Sequence, residues 1–376
     1  MSLTKRLAAV LMAATVILLT VSCTDNSSKE NAGDQSKPSG KVEIIGAGAS
    51  FPAPLITAMA DHYRTITDGK VTVNYQSIGS GGGIRQFGEQ TIMFGMTEAY
   101  LKDEVISEIE KNTGGKAFNM PITLADVVVA YNLPGVEVGL IFDGHILAEI
   151  YLGKITKWND SKIQDLNKSV KIPAMPITVA HRSDGSGTTN IWTSFLTKVN
   201  KEWAEKIGSA TSVNWPLGVG GKGNEGVAGV VQNTPGAIGY MSFSYAMLNK
   251  ITYGYVVNKS GNIIKPSFEA TSEAANIEIP EDTRIIFTDT PAKEGYPIAG
   301  FTWMLVYENL EKNKAIKSKL EAEELIKFLV WSITDGQKLS ERLGYSQLPK
   351  AAVERNKEMI RKLKWNGEEI GKKILG

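Results

Sequence analysis

Three short segments of this chain combine glycines with hydroxyl side chains, and each sits between a β-type run and a helical pattern. They are Gly46-Ala47-Gly48-Ala49-Ser50-Phe51-Pro52-Ala53-Pro54, Ser77-Ile78-Gly79-Ser80-Gly81-Gly82-Gly83 and Arg182-Ser183-Asp184-Gly185-Ser186-Gly187-Thr188-Thr189-Asn190. The first follows the run Val42-Glu43-Ile44-Ile45 and leads into a helix over 54–67, where Leu55, Met59, His62, Tyr63 and Ile66 fall at helical spacing ahead of Gly69. The second lies between a strand over 71–76 and a helix from residue 82, the third between a strand over 177–181 and a helix over 188–199. Further on, 126–131, 236–241 and 299–307 read as strands and 321–334 as a helix. This alternation predicts an α/β fold with largely parallel sheets covered by helices. In open sheets of that kind ligands bind where strands end and helices begin, which is where the three segments fall.

Each segment has the makings of an anion site. Glycine lets the backbone approach a ligand, and a helix N-terminus presents N–H groups with partial positive charge. In the first segment Ser50 offers a hydroxyl and a backbone N–H, and the prolines suit a first helical turn. Alone, it is also compatible with a glycine-rich turn in which Ser50 is an N-cap. The second repeats the logic at Ser80, or is a flexible glycine hinge. No Gly-Lys-Ser/Thr follows it, so it is not a nucleotide P-loop. The third adds Arg182, whose planar fork of donors matches tetrahedral oxyanions. Asp184 stands two residues on, placed to pair with the guanidinium and make a permanent charge tolerable in a cleft. The alternative is a surface Arg–Asp pair before a capped helix. The net charge of +1 gives no footprint for nucleic acid. An anion site here must be local and built mostly from dipoles.

At 376 residues the chain is long for one domain and comfortable for two. Residues 1–23 read as a targeting segment. Lys5 and Arg6 precede an apolar run from Leu7 to Val21 that is too short to span a bilayer comfortably. The run ends at Val21-Ser22-Cys23, with the only cysteine of the protein, which excludes an intrachain disulfide. The pattern looks like a bacterial lipoprotein processing site with Cys23 as the lipidated residue, although Thr20 stands where Leu is usual; the alternative is an ordinary signal peptide. Residues 24–40 are polar and read as a disordered tether.

Other chemistries find no support in the sequence. There is no His-Glu-x-x-His, Cys/His cluster or acidic calcium loop, so neither a metal nor a cofactor is expected. Around Ser186 the first glycine of a nucleophile elbow is missing, and no catalytic residue is assigned. His62 reads as structural, and His181 should face away from Arg182 if 177–181 is a strand. Trp158, Trp192, Trp203 and Trp215 read as packing residues, and Lys222 as a solvated loop lysine.

Taken in order, GAGASFPAP (46–54), IGSGGG (78–83), IYLGKITKWND (150–160), RSDGSGTT (182–189) and WPLGVGGKGNEGVAGVVQNTPGAIGY (215–240) resemble the solute-binding protein of the bacterial phosphate ABC transporter. The resemblance runs from residue 42 to near residue 350. It implies a two-domain α/β clamshell of the periplasmic-binding-protein type, with a hinge and an interdomain ligand cleft. The crossings would lie near Tyr131-Asn132 and Tyr296-Pro297, giving domain I from 41–131 and 297–376 and domain II from 132–296. The implied function is an extracytoplasmic receptor that binds inorganic phosphate, closes by its hinge and hands the ion to the permease subunits of an ABC importer, anchored to the membrane by lipid at Cys23. Alternatives are a receptor for a related oxyanion such as arsenate, or a phosphate-ester hydrolase, which would need a nucleophile–base pair or metal ligands.

Carried over residue by residue, the resemblance assigns phosphate contacts to Ser50 (usually Thr in the family), the backbone N–H of Phe51, Ser80, Arg182, Ser186, Gly187 and Thr188, with Asp184 holding the arginine. One position departs. Where the family usually carries Asp, the sequence Phe94-Gly95-Met96-Thr97-Glu98-Ala99 places Glu98. A carboxylate only accepts hydrogen bonds, so it can take the phosphate O–H and has nothing to take from sulfate. Refusal of this kind reaches orders of magnitude when the wrong ligand leaves a buried charge unpaired. With one extra methylene, either the backbone sits back or Glu98 rotates out. The expectation is that Glu98 keeps the acceptor role.

Overall fold

The structure is a computed structural model that describes residues 41–376; the expected signal segment, Cys23 and the tether lie outside the described residues. The strands are β1 (Val42–Gly48), β2 (Val71–Ser77), β3 (Phe94–Thr97), β4 (Ala117–Asn132), β5 (Ile141–Phe142), β6 (Thr178–Arg182), β7 (Val219–Gly221), β8 (Ala237–Ser242), β9 (Tyr255–Val257), β10 (Ile263–Ile264) and β11 (Ala299–Tyr307). Eight of them form one sheet in the order β2-β1-β3-β11-β4-β8-β6-β7, and β10-β9-β5 form a small second one.

The fold is α/β, but its sheet is parallel only towards the two ends. There β1 runs parallel to β2 and β3, and β6 parallel to β7 and β8. These are strand–helix–strand units: the helices Ala53–Ile66 and Ser80–Gly88 carry the chain from β1 to β2 and from β2 to β3. In the middle, β11 is antiparallel to β3 and β4, and β4 is antiparallel to β8. The sequence signal for β11 was a plain apolar run, which carries no information about direction.

Strand β4 is the largest difference from the sequence reading. It has 16 residues and is buried up to its last position, yet only 126–131 looked like a strand. Pro121 conceals the first half, because proline cannot donate to a ladder and is confined to edges and bulges. It sits at a bulge: Thr302 of β11 faces Thr123 while Trp303 faces Pro121, so Ile122 is the extra residue. The carbonyls of Pro121 and Ile122 accept hydrogen bonds from the side chains of Asn356 and Gln337. Along its length β4 changes partner, with Ala117–Asp126 against β11 and Val127–Asn132 against β8.

Packing places the remaining sequence signals. His62 stacks on Trp331 at 5.7 Å between ring centroids, and Tyr63 meets Phe328 edge-on at 5.1 Å, which joins the helix Ala53–Ile66 to the helix Lys319–Ser332. The latter helix begins two residues before the predicted 321 because Ser318 caps it, accepting from the Glu321 N–H. Ile66 departs from its predicted apolar face and is half exposed at the last turn. Trp158, Trp192 and Trp203 are fully buried. No helix among the described residues is long and apolar enough to cross a membrane.

Candidate functional site

The first segment leaves β1 at Gly48, and its helix begins at Ala53, so the cap position is Pro52 and not Ser50. This removes the N-cap alternative for Ser50. Its carbonyl accepts from the Ala53 N–H at 3.1 Å and from the Tyr245 hydroxyl at 2.9 Å, which leaves its buried side chain facing Asn224. Phe51 is fully buried; its carbonyl accepts from the Tyr345 hydroxyl at 2.5 Å, with the two rings edge-on.

In the second segment the helix starts at Ser80, two residues before the predicted start. Gly79 caps it with φ 81°, and a Cβ there would lie 2.3 Å from Asp184 Oδ2, so both backbone conformation and space demand glycine. Ser80 is buried. Its hydroxyl accepts from the Gly187 N–H at 3.0 Å and donates to Glu98 Oε2 at 3.3 Å. The Gly81 N–H donates to the Gly185 carbonyl at 3.0 Å, so the segment is tied to the third one instead of standing free as a hinge.

The third segment starts from Arg182 at the end of β6. Its guanidinium is buried and donates through Nε to Asp184 Oδ1 at 2.8 Å and through Nη2 to Oδ2 at 2.6 Å. Burial excludes the surface-pair alternative. Nη1 reaches Thr188 Oγ1 at 3.4 Å. Burial works against the charged form of Asp184, but the hydrogen bonds and charge of Arg182, with the Gly223 N–H at 3.1 Å, outweigh it and hold the carboxyl below its ordinary value. Ser186 caps the helix Gly187–Val199 by accepting from the Thr189 N–H at 3.1 Å. Beneath the loop, the Tyr240 hydroxyl accepts from the Arg182 N–H at 3.1 Å and shares a hydrogen with Thr189 Oγ1 at 2.6 Å, while its ring stacks on Trp192. His181 points away and stacks on Trp215 at 4.9 Å.

Glu98, which follows β3, does not rotate out. Only 2% exposed, it accepts from the Thr302 hydroxyl at 3.0 Å on Oε1 and from Ser80 on Oε2. Its backbone comes so close to Gly187 that a Cβ on residue 187 would lie 2.5 Å from the Glu98 nitrogen. Burial pushes the Glu98 carboxyl up to about 8, against the opposing pull of Thr302, Arg182 and Ser80. The three segments and Glu98 thus meet at one place. It holds one guanidinium, one ion-paired carboxylate, one carboxyl of raised pKa and a set of hydroxyls and N–H groups. Chemically it is a donor-rich cradle for an acceptor-rich anion, with one carboxyl, Glu98, that is not committed to an ion pair.

Residues 28–335 match the family described as the PBP superfamily domain. The phosphate-binding protein PstS of Xylella fastidiosa is 39% identical over 333 residues, covering 88% of this chain and 87% of that protein. The chain belongs to the PstS family of phosphate-binding proteins. Its fold is that of the periplasmic phosphate-binding proteins: a high affinity periplasmic phosphate-binding protein solved with bound phosphate matches with a TM-score of 0.66 at 19% identity, covering 85% of this chain and 98% of that one. The phosphate-binding protein of Stenotrophomonas maltophilia matches with a TM-score of 0.62 at 19% identity, over 83% and 92%.

Two residues that touch this cradle are not among the sequence candidates. Asn224 is fully buried and donates to both Ser50 and Thr188. Lys222, two residues earlier, is exposed, as read from the sequence. A signal was present: Gly220-Gly221-Lys222-Gly223-Asn224 is a fourth glycine-rich passage from a strand to a helix. Thr302 had a weaker mark, a threonine in the middle of a nine-residue buried strand. The antiparallel register of β11 on β3, with Trp303 opposite Thr97, brings it level with Glu98, a long-range pairing that the sequence does not show.

Proposed function

We propose that this protein binds inorganic phosphate in the cradle formed by the three segments, outside the cytoplasmic membrane, and delivers it to the permease subunits of an ABC importer. The observation that carries the reading is the buried Arg182–Asp184 fork set among Ser50, Ser80, Ser186 and Thr188, in a chain 39% identical to a protein named for binding phosphate. Ser50, the Phe51 N–H, Ser80, Arg182, Ser186, Gly187 and Thr188 hold the oxyanion, Asp184 orients the arginine, and Glu98, when ionised, accepts a hydrogen bond from the protonated ligand oxygen. Hydroxyl and N–H dipoles share the charge compensation with the single Arg182 guanidinium. Residues 41–131 with 297–376 make one lobe of the clamshell and 132–296 the other; the change of partner along β4 supports a passage between lobes within that strand. Cys23 carries the lipid that keeps the receptor at the membrane, and mass spectrometry of the mature N-terminus tests that assignment.

Calorimetric titration with phosphate, arsenate and sulfate tests the binding reading. Phosphate should saturate one site per chain, and Arg182→Gln should weaken it by at least about 100-fold, the scale for losing a charged donor from a buried site. Absence of a phosphate heat, or turnover of a phosphomonoester, overturns it.

A further inference from the structure

We infer that Asn224 is a specificity-determining positioning residue: it fills the acceptor positions of the Ser50 and Thr188 hydroxyls, so that both present only a hydrogen to the bound oxyanion. The inference rests on the phosphate reading of the site and goes further, to how the hydroxyls are made to act.

Asn224 is the second residue of the helix Gly223–Asn233 and is fully buried. The orientation of its amide is fixed from behind, because Oδ1 accepts from the Ser242 N–H at 2.8 Å and an NH₂ group there would face another donor. Nδ2 therefore points forward with two hydrogens. One goes to Ser50 Oγ at 3.0 Å and the other to Thr188 Oγ1 at 3.1 Å. The backbone N–H of Asn224 also donates to Ser50 Oγ, at 3.0 Å. Thr188 Oγ1 takes its second hydrogen bond from Arg182 Nη1.

A hydroxyl has two acceptor positions and one donor. Ser50 Oγ has both acceptor positions filled by Asn224, and Thr188 Oγ1 has one filled by Asn224 and one by Arg182. Each is left with a hydrogen to give and no acceptor to offer. A rotating serine or threonine hydroxyl would accept a ligand O–H as readily as it donates to a ligand oxygen. These two receive unprotonated oxygens only. The protonated oxygen of the ligand is thereby refused at the Ser50 and Thr188 side and sent towards the carboxyl of Glu98. Asn224 and Glu98 together set the rotation of the ion in the cradle.

The experiment is calorimetric titration of the full chain with inorganic phosphate. It compares wild type, Asn224→Ala and Asn224→Asp, and repeats both substitutions in the Ser50→Ala/Thr188→Val background. Asn224→Ala should weaken binding about tenfold, and Asn224→Asp about 100-fold or more, because its outer oxygen accepts the hydrogens meant for the ligand. In the background without hydroxyls Asn224→Ala should cost less than about twofold, and Asn224→Asp should lose most of its effect, as expected for partners in one network. A purely structural or electrostatic role would cost the same factor in both backgrounds, and that outcome overturns the inference, as does an Asn224→Asp protein that binds like wild type. If Asn224→Ala does not fold, the near-isosteric Asn224→Asp, which keeps the Ser242 bond, decides alone. If wild type binds arsenate or sulfate and not phosphate, the phosphate reading falls and Asn224 is judged with the anion that binds. If none binds, both fall.

Discussion

Glu98 makes a sharp prediction about sulfate. Its carboxyl is pushed up to about 8 by burial, so it is protonated below that pH and ionised above it. Sulfate carries no proton and meets Glu98 favourably only when the carboxyl supplies one. Below pH 8 that condition already holds. Above it, each pH unit adds ~1.4 kcal/mol to the cost of protonating Glu98, or about a tenfold loss of sulfate affinity. At pH 10 the loss should reach about 100-fold relative to the plateau. Phosphate keeps a proton through this range and donates it to the ionised carboxylate, so its own affinity should stay nearly level. The buried tyrosines at the site, Tyr240 and Tyr345, are held above their ordinary values by burial and do not titrate with Glu98. The assay is competition of sulfate against phosphate by calorimetry from pH 6 to pH 10, on wild type and Glu98→Gln. The amide cannot ionise, so the variant should show a flat sulfate affinity. A wild-type sulfate affinity level across the range, or the same slope in the variant, refutes the assignment of Glu98 as the group that excludes sulfate.

Three further outcomes follow from the same geometry. Because the folded-state pKa of Glu98 is raised from 4.5 to about 8, the native state holds that proton more tightly than the unfolded chain. Its contribution to stability is complete below pH 4.5 and is lost as pH rises through 8, by up to 3.5 units at ~1.36 kcal/mol each, about 5 kcal/mol. Melting temperatures of phosphate-free protein should therefore fall more between pH 5 and 8 for wild type than for Glu98→Gln. Asp184→Asn leaves the buried Arg182 guanidinium without its anion and should cost about 3 kcal/mol or more in thermal or denaturant unfolding. Gly187→Ala forces a Cβ to within 2.5 Å of the Glu98 nitrogen; the resulting separation of the third segment from Glu98 should cost about 1–3 kcal/mol of stability and weaken phosphate binding in the same titration.

Residues that advertise their chemistry were legible in the sequence. The glycine and hydroxyl clusters need particular residue types because backbone must approach backbone, as at Gly79 against Asp184, and such needs leave a written pattern. Arg182 and Asp184 were legible for a similar reason, being two residues apart in one loop. What stayed hidden depended on long-range assembly. The first half of β4 was masked by Pro121, which is tolerated only because β11 shifts register there. The antiparallel middle of the sheet was invisible because an apolar run has no direction. Asn224 lies 174 residues from Ser50, and nothing local to either residue declares the bond.

Glu98 shows how these distant pieces combine into one property. By the resemblance, Glu98 stands in place of an aspartate and brings one extra methylene to the site. Here the third segment contributes Gly187, whose missing Cβ lets the Glu98 backbone lie against it. The antiparallel pairing of β11 with β3 brings Thr302 beside Glu98, where its hydroxyl holds Oε1. Ser80, from the second segment, holds Oε2. These contacts favour the ionised carboxylate, and burial disfavours it more strongly, so the group settles near neutrality instead of at either extreme. A carboxyl poised there either gives a proton or takes one. If Glu98 faces the ligand as proposed, selectivity for a protonated oxyanion should depend on pH, with its turning point set by burial against Thr302, Arg182 and Ser80.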